Sequence, residues 1–283
     1  EPKPAPMMSP GFFLSRAMLG KQTGEQRSIQ GMNMVWCPPT GPEGFTMGSP
    51  PGEQYREEDE TGHQVILSEG FWIGKYECTQ ADWVALMGSN PSKYQGGSLP
   101  TSLPVESVSF TDVEAFLKKM NKEKPVPLGW RWALPTEAQW EYACRAGTES
   151  AFSFGNVLTT AQANYDGKAP VDGTRPASYY GISKPVGTYP ANAWGIHEMH
   201  ANVWEFCSDR DHLTPYPAGP VTDPVGPTEG EYRIIRGGSF YDAALKSRSA
   251  NRDRVNTSSG MLTLGFRVAL VYQMKSLGEM IGQ

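Results

Sequence analysis

Cysteine is scarce in this chain: Cys37, Cys78, Cys144 and Cys207 are the four among 283 residues, far apart and in no C-x-x-C pair. That spacing excludes a zinc ribbon and a thioredoxin-like redox motif, and leaves buried thiols and disulfides both open. Positive charge is also in deficit. The 25 Lys and Arg against 30 Asp and Glu give a formal net charge of −5 and a pI near 5.5. A nucleic-acid partner or an anionic membrane surface is therefore not expected. No apolar run is long enough to span a bilayer, no internal repeat is visible, and no signal peptide stands at the start. The chain begins at Glu1 and not at methionine, as expected after removal of a leader from a secreted or periplasmic protein, or after trimming.

Turn-formers and large aromatics are plentiful. The counts of 31 Gly, 24 Pro and 8 Trp point to short elements, many turns and aromatic anchors, not to a helical bundle. A mass of 31.1 kDa suffices for a substantial core in one large domain or two small ones.

Along the chain, residues 1–33 read as an N-terminal extension, with short apolar patches at Phe12-Phe13-Leu14 and Met18-Leu19. Met34 to Cys37 and Phe45 to Ser49 read as two arms of a hairpin. Glu57-Glu58-Asp59-Glu60 reads as a solvated acidic loop. Strand character continues at Val65-Ile66-Leu67 and from Phe71 to Tyr76. Three helices follow. Thr79 with Asp82 opens the first, which puts Trp83, Leu86 and Met87 on one face and ends at Gly88. Thr111 with Glu114 is the expected capping box of the second, whose Val113, Phe116, Leu117 and Met120 recur at i, i+3, i+4, i+7. Thr136 with Gln139 opens the third, which ends at Gly147. From Ala151 to Pro190 the sequence has little periodicity and needs something to tie it down.

Two stretches carry the chemistry. The first opens as a strand, Tyr232 to Arg236, and breaks at Gly237-Gly238-Ser239. It runs through Arg248, Arg252, Asp253 and Arg254 in an expected polar loop, and closes with a strand from Leu264 to Leu270. Paired glycines suit a backbone with positive φ or a close approach. Ser239 has no histidine near it in sequence, so nucleophilic catalysis there has little support. The second stretch runs from Trp194 to Asp209. Within it His197 and His200 stand at i, i+3, with Asp209, Asp211 and His212 close by. On one helical face they could hold zinc or iron, but the stretch reads as a turn, so a transition metal is the minor reading.

These motifs resemble the sulfatase-modifying-factor domain of the formylglycine-generating enzymes. The match rests on Arg233 to Phe240, on Arg248 to Arg254, and on Gly265 to Arg267. It rests also on the opening Phe45-Thr46-Met47-Gly48-Ser49, on Pro104 to Ser109, and on Leu134 to Arg145. The resemblance implies an α+β, irregular C-type-lectin-like fold with short strands, few helices and many loops. It covers one domain, 34–272, with 273–283 as a C-terminal tail.

The resemblance also implies sites. Trp194 to Asp209 is similar to the family's calcium motif, which implies calcium held by the side chains of Glu198 and Glu205 and the carbonyls of Ala201 and Val203. Oxygen donors of this mixture suit Ca²⁺. A second calcium would use Asn164, Tyr165 and Tyr180, its expected acidic ligand falling near Ser178. Active members carry two copper-binding cysteines after the Gly-Gly-Ser, whereas this chain has no cysteine between Ser239 and Arg267. Asp242 and Ser247 occupy that neighbourhood, and their hard oxygens suit Cu(I) poorly. Copper is therefore not expected. The first expectation is a calcium-stabilised binding or accessory module whose ligand groove is formed by Ser239, Tyr241, Asp242, Arg248, Asn251 and Arg252. Arginines there suit a carboxylate or sulfate, so the partner would be a peptide, a protein or a small anionic ligand. A structural role for Arg248 and Arg252, paired with buried Glu or Asp, is the alternative for those two. Two enzymatic alternatives stand beside the module. One is an oxidoreductase of the same family with non-copper chemistry, as in the branch that matures pyoverdine, with Asp242 or a nearby histidine as acid or base. The other is a formylglycine-generating enzyme acting on a sulfatase cysteine.

Overall fold

Short strands in three sheets and three short helices make up the framework of the computed structural model, which describes residues 17–168, 177–211, 216 and 219–273. The central sheet has five strands in the order β1 (Gln26–Ile29), β2 (Met32–Cys37), β5 (Phe71–Gly74), β12 (Ala269–Tyr272) and β6 (Trp130–Ala133). β1 lies inside the expected N-terminal extension and pairs antiparallel with β2. A second sheet orders β10 (Arg252–Asn256), β9 (Tyr232–Arg236), β7 (Trp204–Asp211) and β11 (Leu264–Gly265). A third orders β3 (Phe45–Met47), β4 (His63–Ile66) and β8 (Val221–Thr222). This is the expected α+β architecture.

The central sheet is covered on both faces. Alternate residues of a strand point to opposite sides, so Met34 and Trp36 enter one core cluster while Val35 and Cys37 enter another. Helices α1 (Gln80–Met87) and α2 (Phe110–Glu123) close the first cluster. There Trp83 stacks on Phe116 with ring centroids 5.2 Å apart, and Phe266 meets Phe116 edge-on at 5.3 Å. Helix α3 (Glu137–Arg145) closes the second with Ala138, Trp140, Ala143 and Cys144. All four cysteines are buried free thiols.

Local chemistry accounts for the helix ends. Thr79 and Thr136 cap α1 and α3 through reciprocal bonds with Asp82 and Gln139, and Gly88 ends α1 in the left-handed region. α2 starts two residues earlier than expected. Ser109, not Thr111, is its cap, and its Oγ accepts from Asp112 N at 3.2 Å while Asp112 accepts from Ser109 N at 2.9 Å. Both boxes fit the sequence, but the earlier start places Phe110 in the core.

Three other expectations are corrected. β2 and β3 are not a hairpin: β2 pairs with β1 and β5, and β3 pairs with β4 in another sheet. Pro38, Pro39 and Pro42 lie between them, and they lack the N–H groups a ladder would need. Arg252 and Arg254 lie in strand β10 and not in a loop. Leu264 to Leu270 divides into β11, which runs parallel to β7, and β12 in the central sheet, with Arg267 between them.

Candidate functional site

Strand β9 delivers the chain to Gly237 and Gly238, which take φ of +99° and +76°. A Cβ on Gly238 would stand 2.5 Å from Ser247 Oγ and 3.0 Å from Lys246 O, so the turn needs glycine both for its dihedral angle and for close approach. Beyond it, Asp242 Oδ2 accepts from Ser239 Oγ at 2.5 Å and from the Trp204 indole at 2.9 Å. The Asp242 carbonyl accepts from Asp166 N at 2.8 Å. Asp242 is thereby a fixed member of the loop, and Ser239 donates to its carboxylate, with no histidine in contact among the described residues. Ser247, in the 3₁₀ turn Ala244–Ser247, is buried, and its Oγ has no partner among the described residues.

The Ser247 carbonyl takes a hydrogen bond from His200 Nδ1 at 2.8 Å. A carbonyl can only accept, so Nδ1 carries the proton and Nε2 is left to accept from Ser153 N at 3.0 Å. Burial pushes the imidazole down to about 4 despite the Ser247 carbonyl. Cys144 Sγ lies 3.8 Å from His200 Nε2, and burial pushes its thiol up to about 12. Both groups are neutral at ordinary pH, so the pair is not an activated thiolate and imidazolium. His197 is elsewhere, bonded through Nδ1 to the Tyr189 carbonyl at 2.8 Å. No group of three or more His, Cys, Asp or Glu is arranged for a metal among the described residues, and His212 lies outside those residues.

The three groove residues beyond the turn are directed inward. Arg248 is 2% exposed, and its guanidinium donates to Glu60 at 2.6 and 2.7 Å, to Glu53 at 2.7 Å and to the Tyr55 carbonyl at 2.8 Å. Burial alone would raise the Glu60 carboxyl, but Arg248 outweighs it and holds the group below its ordinary value. Glu60 is thus buried as the partner of Arg248, which corrects the solvated reading of that end of the acidic run. Arg252 forms a fork with Glu137, both contacts 2.9 Å. Asn251 is fully buried beside Glu60. The Arg236 guanidinium is shared between Glu141 and the Asn251 carbonyl.

What the turn does present is aromatic. Tyr241 is 62% exposed and meets Tyr179 edge-on at 6.0 Å. Tyr94 packs edge-on against the buried Phe240. The exposed Tyr180 carries the Lys184 ammonium 3.5 Å above its ring, and Lys168 stands 5.0 Å above Tyr179. Tyr94 and Tyr179 lie in segments remote in sequence, and of these tyrosines the sequence places Tyr241 alone in the expected groove.

The two implied calcium sets differ in how their oxygens are used. Residues 198, 201 and 202 all take left-handed φ, at 49°, 64° and 71°. Glu205 accepts from Arg267 Nε and Nη2 at 2.6 Å each and from the Trp140 indole at 2.8 Å. Glu198 accepts from Gly187 N at 3.0 Å and Tyr189 N at 3.2 Å. Ala201 N donates to the Gly237 carbonyl at 2.7 Å. Val203 N donates to Glu77 at 3.2 Å, as does Asn202 Nδ2 at 2.7 Å. Three buried carboxylates, Glu77, Glu198 and Glu205, therefore surround one guanidinium. Burial, then the charges of Glu198 and Glu205, raise Glu77 well above the usual carboxylate range. Sequence reasoning missed Glu77, which sits just past β5 with no motif around it. In the second set, Asn164 Nδ2 bonds Ile182 O and Asn202 Oδ1, each at 3.0 Å, while Asn164 Oδ1 is buried with no donor among the described residues. An orphaned amide oxygen fits a hard cation, whereas the two carboxylates of the first set, Glu198 and Glu205, accept from protein donors in this arrangement. The copper positions offer no thiolate, since every cysteine is buried in the core.

Irregular loops on short strands, organised around the Gly-Gly-Ser turn, define a C-type-lectin-like fold of the formylglycine-generating type. The chain is similar in structure to PvdO of Pseudomonas aeruginosa, with a TM-score of 0.73 and 27% identity over 89% of this chain and 99% of that one. It is similar also to Treponema denticola variable protein 1, with a TM-score of 0.72 and 22% identity over 87% and 98% of the two chains. Residues 21–271 match the sulfatase-modifying factor enzyme 1-like domain, and the chain belongs to that family. A formylglycine-generating enzyme of Streptomyces coelicolor is 34% identical over 188 residues, which are 59% of this chain and 52% of the relative. No helix among the described residues is long and apolar enough to cross a membrane.

Proposed function

We propose that this domain is a binding or accessory module of the sulfatase-modifying-factor family, without copper-dependent cysteine oxidase activity. The observation that carries the reading is the state of the two positions after the Gly-Gly-Ser turn. Asp242 is a hard-oxygen group locked between Ser239 and Trp204, and Ser247 is buried. Soft thiolates hold Cu(I), and these groups do not replace them. Above the turn, Tyr241, Tyr179 and Tyr180 with Lys168 and Lys184 form an aromatic and cationic surface on fixed loops. Such a surface suits a peptide, a protein or a small anionic ligand.

Calcium is part of the reading. Asn164 would contribute its unpaired oxygen, and the excess of buried carboxylate at Glu77, Glu198 and Glu205 over Arg267 favours a cation nearby. The ion would supply a rigid tie for the loops, and no chemistry. A metal inventory of the purified protein, with melts in calcium and in chelator, tests both parts. Calcium without copper, and a lower Tm in chelator, are expected. Copper near one equivalent would overturn the reading, and an unchanged Tm would remove calcium from it.

A further inference from the structure

A cavity of about 810 Å³ opens between α2, the β6 edge of the central sheet and the β7–β9 pair. Its walls include Phe110, Leu117, Trp132 and Leu134, and two arginines, Arg131 and Arg233. No residue of the Gly-Gly-Ser turn lines it.

Arg233 sets this cavity apart. The buried arginines are Arg145, Arg233, Arg236, Arg248, Arg252 and Arg267. Among the described residues, all but Arg233 have a carboxylate in ion-pair contact. Arg233 is 7% exposed, and its guanidinium carbon lies 3.7 Å from the centre of the Phe110 ring. Nη1 donates to the Ser208 carbonyl at 2.5 Å. Nε is buried without an acceptor, and Nη2 has no hydrogen-bond partner, among the described residues. Arg210 stands directly across the strand pair, and like charges so placed repel. Burial, and then the charge of Arg210, lower the Arg233 pKa. Arg131 donates to Gln273 at 2.8 Å and likewise lacks an ion pair among the described residues. Glu69 and Glu114 also line the cavity, and neither is in ion-pair contact with either arginine.

A buried guanidinium with no carboxylate in contact is costly; Glu114 and Asp209 act on Arg233 only from beyond ion-pair distance. Here the guanidinium faces a space within the usual size range of small-molecule pockets. We propose that this cavity is a binding site for a small monocarboxylate with an apolar body, its carboxylate on Arg233 and its body against Phe110, Leu117 and Trp132. A guanidinium fork matches a carboxylate. Glu69, Glu114 and Asp223 on the same walls disfavour a second negative charge on the ligand.

The test uses 4-phenylbutyrate and its alcohol isostere, 4-phenylbutan-1-ol, titrated calorimetrically into the whole chain. The acid should bind at least about 10-fold tighter than the alcohol, the gain typical of a charge-assisted hydrogen bond. Arg233→Met should abolish that preference. Should Arg233→Met fail to fold, Val225→Glu serves, because Val225 is 66% exposed at the rim and tolerates a charge. It should weaken the acid several-fold and leave the alcohol unchanged. Equal affinity for acid and alcohol, no binding of the acid, or an acid affinity indifferent to Val225→Glu would each overturn the proposal.

Discussion

Replacing Arg267 by methionine would remove the cation at the centre of the molecule while keeping most of the side-chain volume. The guanidinium is fully buried and donates to both oxygens of Glu205 and to the carbonyls of Gly74, His197 and Glu198. Its loss would leave Glu77, Glu198 and Glu205 without a counter-charge in the interior. Removing one partner of a buried ion pair typically costs about 3–5 kcal/mol, and the surplus of carboxylates puts this case at the upper end. For a domain of this size the fall in Tm is roughly 6–20 °C. The loss also has a pH signature. Arg267 holds down the pKa of Glu77 and Glu198, so without it both rise further. The folded form then binds more protons than the unfolded, and the variant recovers stability as pH falls. Urea unfolding at about pH 8 and about pH 5 should therefore give a larger deficit at the higher pH. Adding Glu205→Gln should recover part of the loss, because one buried charge is then gone. A deficit below about 1 kcal/mol that is flat with pH would refute the reasoning.

Asp209 gives a second pH prediction, since burial and then the charge of Glu137 push its carboxyl up to about 7. Its folded pKa lies above the unfolded value, so stability should fall as pH rises from about 4 to about 7 and level off above, by an amount on the order of 2–4 kcal/mol. Asp209→Asn, which keeps an acceptor for Glu137 N, should flatten that slope in chemical denaturation. Gly238→Ala and Gly147→Ala form a matched pair, because both positions have positive φ but only at Gly238 would the new Cβ meet atoms within 4 Å. The first should cost about 2–4 kcal/mol and the second about 1–2 kcal/mol, and equal Tm losses would dismiss the close-approach argument.

What could be read in the sequence was whatever local rules specify. The caps at Thr79 and Thr136, the left-handed stop at Gly88, strand β9 and the need for glycine at 237 and 238 all follow from neighbours a few residues apart. The buried ion pairs do not. Arg248 and Glu60 are 188 residues apart in sequence, and no period or spacing announces that an acidic run will close over an arginine from the far end of the chain. The same reason hid β10, because one of its two buried residues is Arg252, held by Glu137, and Val255 alone gives no strand pattern. Sequence could list Arg248, Asn251 and Arg252 as groove donors, but only the fold decides that their donors are already in use. It also gathers Tyr94, Tyr179 and Tyr241 from three separate segments around the turn.

The central claim is that the positions after the Gly-Gly-Ser turn no longer support copper-dependent oxidation of a cysteine. It is tested most directly by incubating the purified chain with Cu(I), oxygen and a peptide of the form C-x-P-x-R, and following aldehyde formation by mass spectrometry. The cysteine should stay unmodified under conditions where a formylglycine-generating enzyme converts the same peptide. Conversion that depends on both this chain and copper would contradict it.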